Sequence, residues 1–147
     1  MSAEQNLATS QRILDEAWSG GNLGVIDELC TSDCVDHDLS SHEETRGIEA
    51  NKQRVQMYRT AMPDLKVSVV DSVASGDEVA IRWVARGKND GELMGNPPTH
   101  RDVEITGMSI DRFDADGKLA ETWDQWDMLG FMRQLGMAPE MAGQAQA

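Results

Sequence analysis

The sequence is short of basic residues, of cysteine and of long apolar runs, and each shortage argues against a class of function. Lysine and arginine number 13 against 26 aspartates and glutamates, for a net charge of −13. A surface of that sign repels nucleic acid and anionic membranes, so neither is expected as a partner. No apolar stretch approaches the roughly 18 residues that a membrane span needs. The opening "MSAEQNLATSQ" lacks the basic start and apolar centre of a secretory signal, so the expected location is the cytoplasm. The cysteines, Cys30 and Cys34, are spaced C-x3-C, which is neither a zinc pattern nor the C-x-x-C redox pattern. They read as small buried apolar residues. Also missing are a G-x-S-x-G elbow, a phosphate-binding glycine loop and H-E-x-x-H. No cofactor and no metal is therefore expected.

What is there fits one domain over residues 1–137, followed by a loose tail, "APEMAGQAQA", at 138–147. A domain of this size buries roughly 68–70% of its unfolded surface, enough for a core and a pocket. Ala3 to Ser19 has helical spacing, with Leu7, Leu14 and Trp18 on one stripe, and "SGGN" stops it. A short helix is predicted from Leu23 to Cys30 with Asn22 as its N-cap. "CVDHDLSSHEE" reads as a short extended piece entering a polar loop. A long helix follows from Gly47 to Met62, with Ile48, Val55, Tyr58 and Met62 on one face, and Pro63 ends it. From residue 65 the period changes to two. "LKVSVVDSVAS" alternates and slips phase at Val70, which marks a bulge. In "VAIRWVARG", Val79, Ile81, Trp83 and Ala85 share one face and Arg82 lies on the other. "RDVEITGMSIDRF" is a long strand with a bend at Gly107, and "KLAETWDQWDM" is the last strand before a closing helix, "LGFMRQLG". Helices followed by a run of strands give an α+β fold, a cone-shaped curved antiparallel sheet covered by N-terminal helices. Its mouth is a natural small-molecule pocket.

The last strand carries the chemistry. Thr122, Asp124, Trp126 and Met128 point one way, and Trp123, Gln125 and Asp127 point the other. A carboxylate in an aromatic strand is costly unless it is paired, solvated or used. Alternation alone leaves open which aspartate faces inward. If Arg82 shares the pocket face it pairs with Asp124; otherwise it is an ordinary surface arginine. His37, between Asp36 and Asp38, is another polar candidate, whereas His100 reads as a surface loop residue. A metal set built from His37, Asp38, His42 and Glu43 matches no defensible ligand spacing. Tyr58, Met57, Met62, Met94 and Met108 are candidates for an adaptable pocket lining, with plain core packing as the alternative.

Three pieces, "MYRTAMPDLKVSVVDSVASGDEVAIRW", "GELMGNPPTHRDVEITGMSIDRF" and "DGKLAETWDQWDMLGFMRQLG", in this order resemble the SnoaL-like polyketide cyclases of the NTF2-like superfamily. The resemblance runs from about Ile13 to Gly136. It implies a cone-shaped barrel that forms a homodimer through the outer sheet face. It also implies that Asp124, directly after Trp123, is the inward acid/base, which leaves Asp127 to cap the last helix near Leu129. Arg82 matches the pocket arginine of the similar limonene epoxide hydrolases, and His37 falls at a polar pocket position of the first strand. Trp18 would reach the same cavity. Two positions depart from the pattern. Val84 stands where the epoxide hydrolases need a second carboxylate, which argues against an Asp–Arg–Asp set. Ser109 stands where the cyclases often carry histidine.

The function implied is a cofactor-independent cyclase or isomerase of a small apolar or polycyclic ketone. Asp124 would move the proton next to a carbonyl, and Arg82 or His37 would stabilise the enolate. Trp18, Tyr58, Met62, Met108, Ser109 and Trp126 would line the substrate site. The alternatives are a binding protein without catalysis, and a hydrolase or dehydratase using Asp124 with His37.

Overall fold

The first helix starts where sequence chemistry puts a start. In the computed structural model, which describes residues 2–137, Ser2 and Gln5 form a reciprocal capping box at 3.1 and 2.9 Å. The tail expected at 138–147 lies outside the described residues. Helix α1 (Ala3–Arg12) runs directly into a π-helical segment, Ile13–Ser19, that buries Ile13 and Ala17. Gly21, at φ 73°, turns the chain out of it. Helix α2 (Gly24–Leu29) begins at Leu23 without a side-chain cap, so Asn22 is not its N-cap.

Strand β1 (Cys30–Asp38) then pairs with β2 (Glu43–Arg46), from Asp38 opposite Glu43 to Val35 opposite Arg46. A polar loop was expected at β2. Its four residues, Glu-Glu-Thr-Arg, carry no apolar alternation because β2 is a solvated edge strand. Helix α3 (Ile48–Ala61) follows and ends just before Pro63. The remaining elements are β3 (Lys66–Ser75), β4 (Glu78–Lys88), β5 (Asp102–Phe113), β6 (Leu119–Trp126) and α4 (Met128–Gln134). The β3–β4 register shifts between Val69 and Asp71, at the bulge foreseen at Val70. Asp127 caps α4, its Oδ1 accepting from the Gly130 N–H at 2.8 Å.

The six strands form one curved sheet in the order β2-β1-β6-β5-β4-β3. Every neighbouring pair is antiparallel except β1 and β6, which run parallel, so the sheet is mixed rather than wholly antiparallel. Parallel pairing needs a crossover connection, and the chain between β1 and β6 supplies it. No described helix is long and apolar enough to cross a membrane.

Alternation decides what the concave face presents to the helices. Ile81 and Ala85 of β4 and Val103 and Ile105 of β5 are buried there. On β5 and β6, Ser109 sits opposite Asp124 and Asp111 opposite Thr122, and all four line the interior. Gly107 of β5 meets the Trp83 ring: a Cβ there would lie 2.3 Å from Trp83 Cζ2. Only glycine at that position lets the indole lie flat on the strand, beside the interior cavity that it helps to line.

Candidate active site

The helices do not fill the concave face. They leave a cavity of about 150 Å³, lined mostly by Ile, Leu, Val, Met and Trp side chains. Trp18, Tyr58, Met62, Ser109, Asp124 and Trp126, all expected at the site, do line it. Cys30 and Cys34 are buried free thiols in its wall. Arg54, Tyr58 and Trp126 also border an outer chamber of about 610 Å³, with Met57, Met94 and Met132 among its walls. Several methionines thus line this chamber, where flexible thioether side chains adapt to ligand shape.

Three expected residues lie elsewhere. Arg82 is on the outer face, bonded to Asp71 through Nη2 at 2.7 Å and Nε at 3.3 Å. Alternation along "VAIRWVARG" had placed it opposite the apolar face, and the β4 pleat keeps it there. Met108, 62% exposed, sits beside it on the outer face, opposite Arg82 in the β4–β5 register. His37 also points away from the cavity. Its Nε2 is 2.6 Å from Glu121 Oε2, and its ring stacks on Trp123 with centroids 5.5 Å apart. Since His37 and Asp38 are successive residues of β1, they point to opposite sides of the strand. The pair His37 and Asp38 therefore cannot share a metal.

In place of Arg82 and His37, the cavity holds Arg54 from α3 and Asp36 from β1. Arg54 reaches Asp36 Oδ2 at 3.2 Å, Asp38 Oδ2 at 3.4 Å and Asp124 Oδ2 at 3.6 Å. Its guanidinium also lies 5.4 Å from the Trp18 ring centroid and 5.9 Å from that of Tyr58. One cation thus serves three largely buried carboxyls. The Asp–Arg–Asp set that Val84 argued against is present after all, built from β1, α3 and β6 rather than from β4.

The three carboxyls are not equivalent. Asp38 is held by Trp126 Nε1, 3.0 Å from both of its oxygens, and by the Ser40 and Ser41 N–H groups at 3.0 and 3.1 Å. Burial acts to raise its pKa, but these hydrogen bonds and the charge of Arg54 outweigh it and hold it below the usual carboxylate range. Asp36 goes the other way. Burial first, then the charge of Asp124, push it up to about 9, and Arg54 only partly offsets them. Asp36 Oδ1 is buried and faces no donor. A hydrogen bond with Asp124 also favours the protonated form of Asp36. Asp124 itself is 7% exposed and accepts from Ser109 Oγ at 2.5 Å. Ser109 Oγ in turn accepts from Trp83 Nε1 at 3.0 Å. A serine thus fills the place of the histidine expected there, and it is oriented by an indole.

Both missed residues had a trace in the sequence. Arg54 and Tyr58 lie four residues apart on one stripe of α3, and Met62 of the expected lining follows at its C-cap. Asp36 alternates with His37, so placing one of them outward implies the other inward. Nothing local indicated which of the two it would be.

The family model described as "SnoaL-like polyketide cyclase" matches residues 8–135. Among solved structures, a candidate SnoaL-like polyketide cyclase from Jannaschia sp. CCS1 is 27% identical, with 94% of this chain and 95% of that chain covered and a TM-score of 0.83. IdmH, a candidate polyketide cyclase from Streptomyces antibioticus, is 33% identical over 90% of this chain and 99% of its own, with a TM-score of 0.78. AclR, a candidate hydroxylase from Streptomyces galilaeus, is 26% identical over 99% and 93%, with a TM-score of 0.82. No curated protein matches the sequence.

Proposed function

The chain belongs to the SnoaL-like polyketide cyclase family, and we propose that it closes or isomerises an apolar ketone without a cofactor, with Asp124 as base and Asp36 as acid. The observation that carries this reading is that Asp36 and Asp124 share Arg54, at 3.2 and 3.6 Å, inside one apolar cavity where burial favours a proton on Asp36. A base and an acid side by side can move two protons in one event. Asp124 takes the proton from the carbon next to a carbonyl. The enolate carbon attacks a second carbonyl of the same molecule, and the new alkoxide takes the proton of Asp36. The proton on Asp124 then returns to Asp36 through their hydrogen bond, so no atom is gained or lost overall. Arg54 holds both carboxyls in place, and Ser109 aims Asp124. The cavity folds the substrate so that its reacting carbons meet, which supplies rate by proximity.

The test is deuterium exchange in D2O at the carbon next to the carbonyl of α-tetralone, followed by NMR. Exchange well above the buffer rate is expected. Calorimetric binding without exchange would overturn the cyclase reading and leave the binding and hydrolase readings. The pH dependence has a definite sign. Asp36 donates only while protonated, so exchange should hold below about pH 9 and fall as pH rises through that value. In Asp36→Asn this alkaline limb should vanish along with most of the activity; a limb that persists assigns it to another group.

The Asp36–Arg54–Asp124 grouping also favours a second reading, in which Asp124 takes its proton from water and Asp36 protonates a leaving oxygen. Incorporation of isotopic oxygen from labelled water into product separates this hydrolase from a cyclase, which incorporates none.

A homodimer through the outer sheet face is part of the same reading. Val70, Val73, Met108 and Ile110 are exposed there, at 48, 71, 62 and 45%. Light scattering should find a dimer, and Ile110→Lys should make it monomeric. A wild-type monomer at high micromolar concentration would remove the proposal.

A further inference from the structure

One buried carboxyl takes no part in that chemistry. Asp111, on β5, is 8% exposed and lines the cavity. Its Oδ2 accepts from Ser10 Oγ of α1 at 2.7 Å, and its Oδ1 accepts from Thr122 Oγ1 of β6 at 2.9 Å. No cation is among the groups that act on it; burial dominates and pushes it up to about 6. At neutral pH it is still mostly a carboxylate, held by two neutral hydroxyls. A carboxylate offers about four acceptor positions, and two are used here. Joining α1 to the sheet would need only an amide or a hydroxyl, at far lower desolvation cost. Asp111 itself borders the cavity.

The position is set by strand register. Asp111 pairs with Thr122 one rung along from the pair of Ser109 with Asp124. Two residues of strand separate the rungs by about 7 Å, roughly the span from one edge of a six-membered ring to a substituent across the next. Ile81 of β4, opposite Ser109 in the register, gives the cavity wall beside the two stations an apolar surface.

We propose that Asp111, held by Ser10 and Thr122, is a recognition subsite for one hydroxyl group of the ligand. Its carbonyl end lies at Asp36 and Asp124, and its hydroxyl donates to Asp111 one ring away. This rests on the cyclase reading for the orientation of the ketone, but the subsite itself is tested by binding alone. A ketone bearing no hydroxyl offers Asp111 no donor. A ring hydroxyl supplies a charge-assisted hydrogen bond.

The experiment is isothermal titration calorimetry with two probes on the intact chain. One is α-tetralone. The other is the derivative with a phenolic hydroxyl para to the ring carbon that bears the carbonyl. The wild type should bind the phenol about 10–100-fold more tightly than the parent ketone, as expected for a hydrogen bond to a buried charge. Asp111→Asn should bring that ratio close to one, and Asp124→Asn should leave it standing. Ser10→Ala removes a competing donor, so the ratio should rise, whereas a purely structural Asp111 predicts no rise. If Asp111→Asn does not fold, Ser10→Ala decides by itself. Equal affinities in the wild type overturn the proposal, and so does a preference lost in Asp124→Asn but kept in Asp111→Asn. Failure of deuterium exchange with the phenol preference intact would overturn the catalytic reading and leave the subsite.

Discussion

Asp124→Asn is expected to slow deuterium exchange into α-tetralone by about 10²–10⁴-fold, the usual loss for a general base, with little change in ketone affinity. Asparagine matches aspartate in shape, and its carbonyl oxygen can still accept from Ser109 Oγ, 2.5 Å away in the wild type. What it cannot do is take a proton. The neighbourhood provides a second signature. Asp36 is raised by burial and next by the charge of Asp124, so removing that charge lowers its pKa. Residual activity in Asp124→Asn should therefore fall off at lower pH than in the wild type. Asp127→Asn is the matched control. It lies three residues on, where it caps α4, and asparagine caps nearly as well as aspartate. Exchange should be unchanged in it. Full activity in Asp124→Asn would end the mechanism, whatever the binding data show.

Arg54→Met should destabilise the fold by about 3–5 kcal/mol, the cost of leaving buried charge without its partner. Methionine replaces much of the arginine stem and suits the apolar wall, so packing is a minor part of the effect. The main part is electrostatic. Arg54 is the shared cation of Asp36, Asp38 and Asp124, whose side chains are 13, 5 and 10% exposed. Without Arg54, Asp38 loses a charge that helps to hold its carboxyl below the usual range, so the folded variant binds that proton more tightly than the wild type does. The sign of the pH effect follows. Stability of the variant is retained at low pH, where both states are protonated, and is lost as pH rises toward neutrality. Urea denaturation at acid and neutral pH should show the deficit growing with pH. Adding Asp36→Asn to Arg54→Met should recover part of the loss, since one buried acid is then gone. A deficit equal at both pH values would mean that packing, not charge, is what Arg54 contributes.

The comparison of Arg54 with Arg82 shows where sequence reading stops. Both are arginines among apolar neighbours. Alternation along β4 was sufficient to put Arg82 on the face away from Ile81 and Trp83, and the structure keeps it there with Asp71. The resemblance to epoxide hydrolases drew it inward, because a family motif carries a role without the strand that hosts it. Arg54 lay on a helix stripe with Tyr58 and Met62, yet a charged residue there reads by default as a solvated face. Only burial against Trp18 and three aspartates changes that.

The same division holds for the whole protein. Period and punctuation in the sequence determined the α+β layout, the bulge at Val70, the turn chemistry, and the opposite facing of Ile81 and Arg82, because each depends on residues a few positions apart. The identity of the inward partners did not follow from such local rules. Asp36 meets Asp124 because β1 pairs in parallel with β6 across a crossover of some eighty residues, and Arg54 joins them because α3 packs over that seam. Contacts of that range have no period along the chain. They are decided when the sheet curves, the helices close over it, and the few polar groups left inside must find one another.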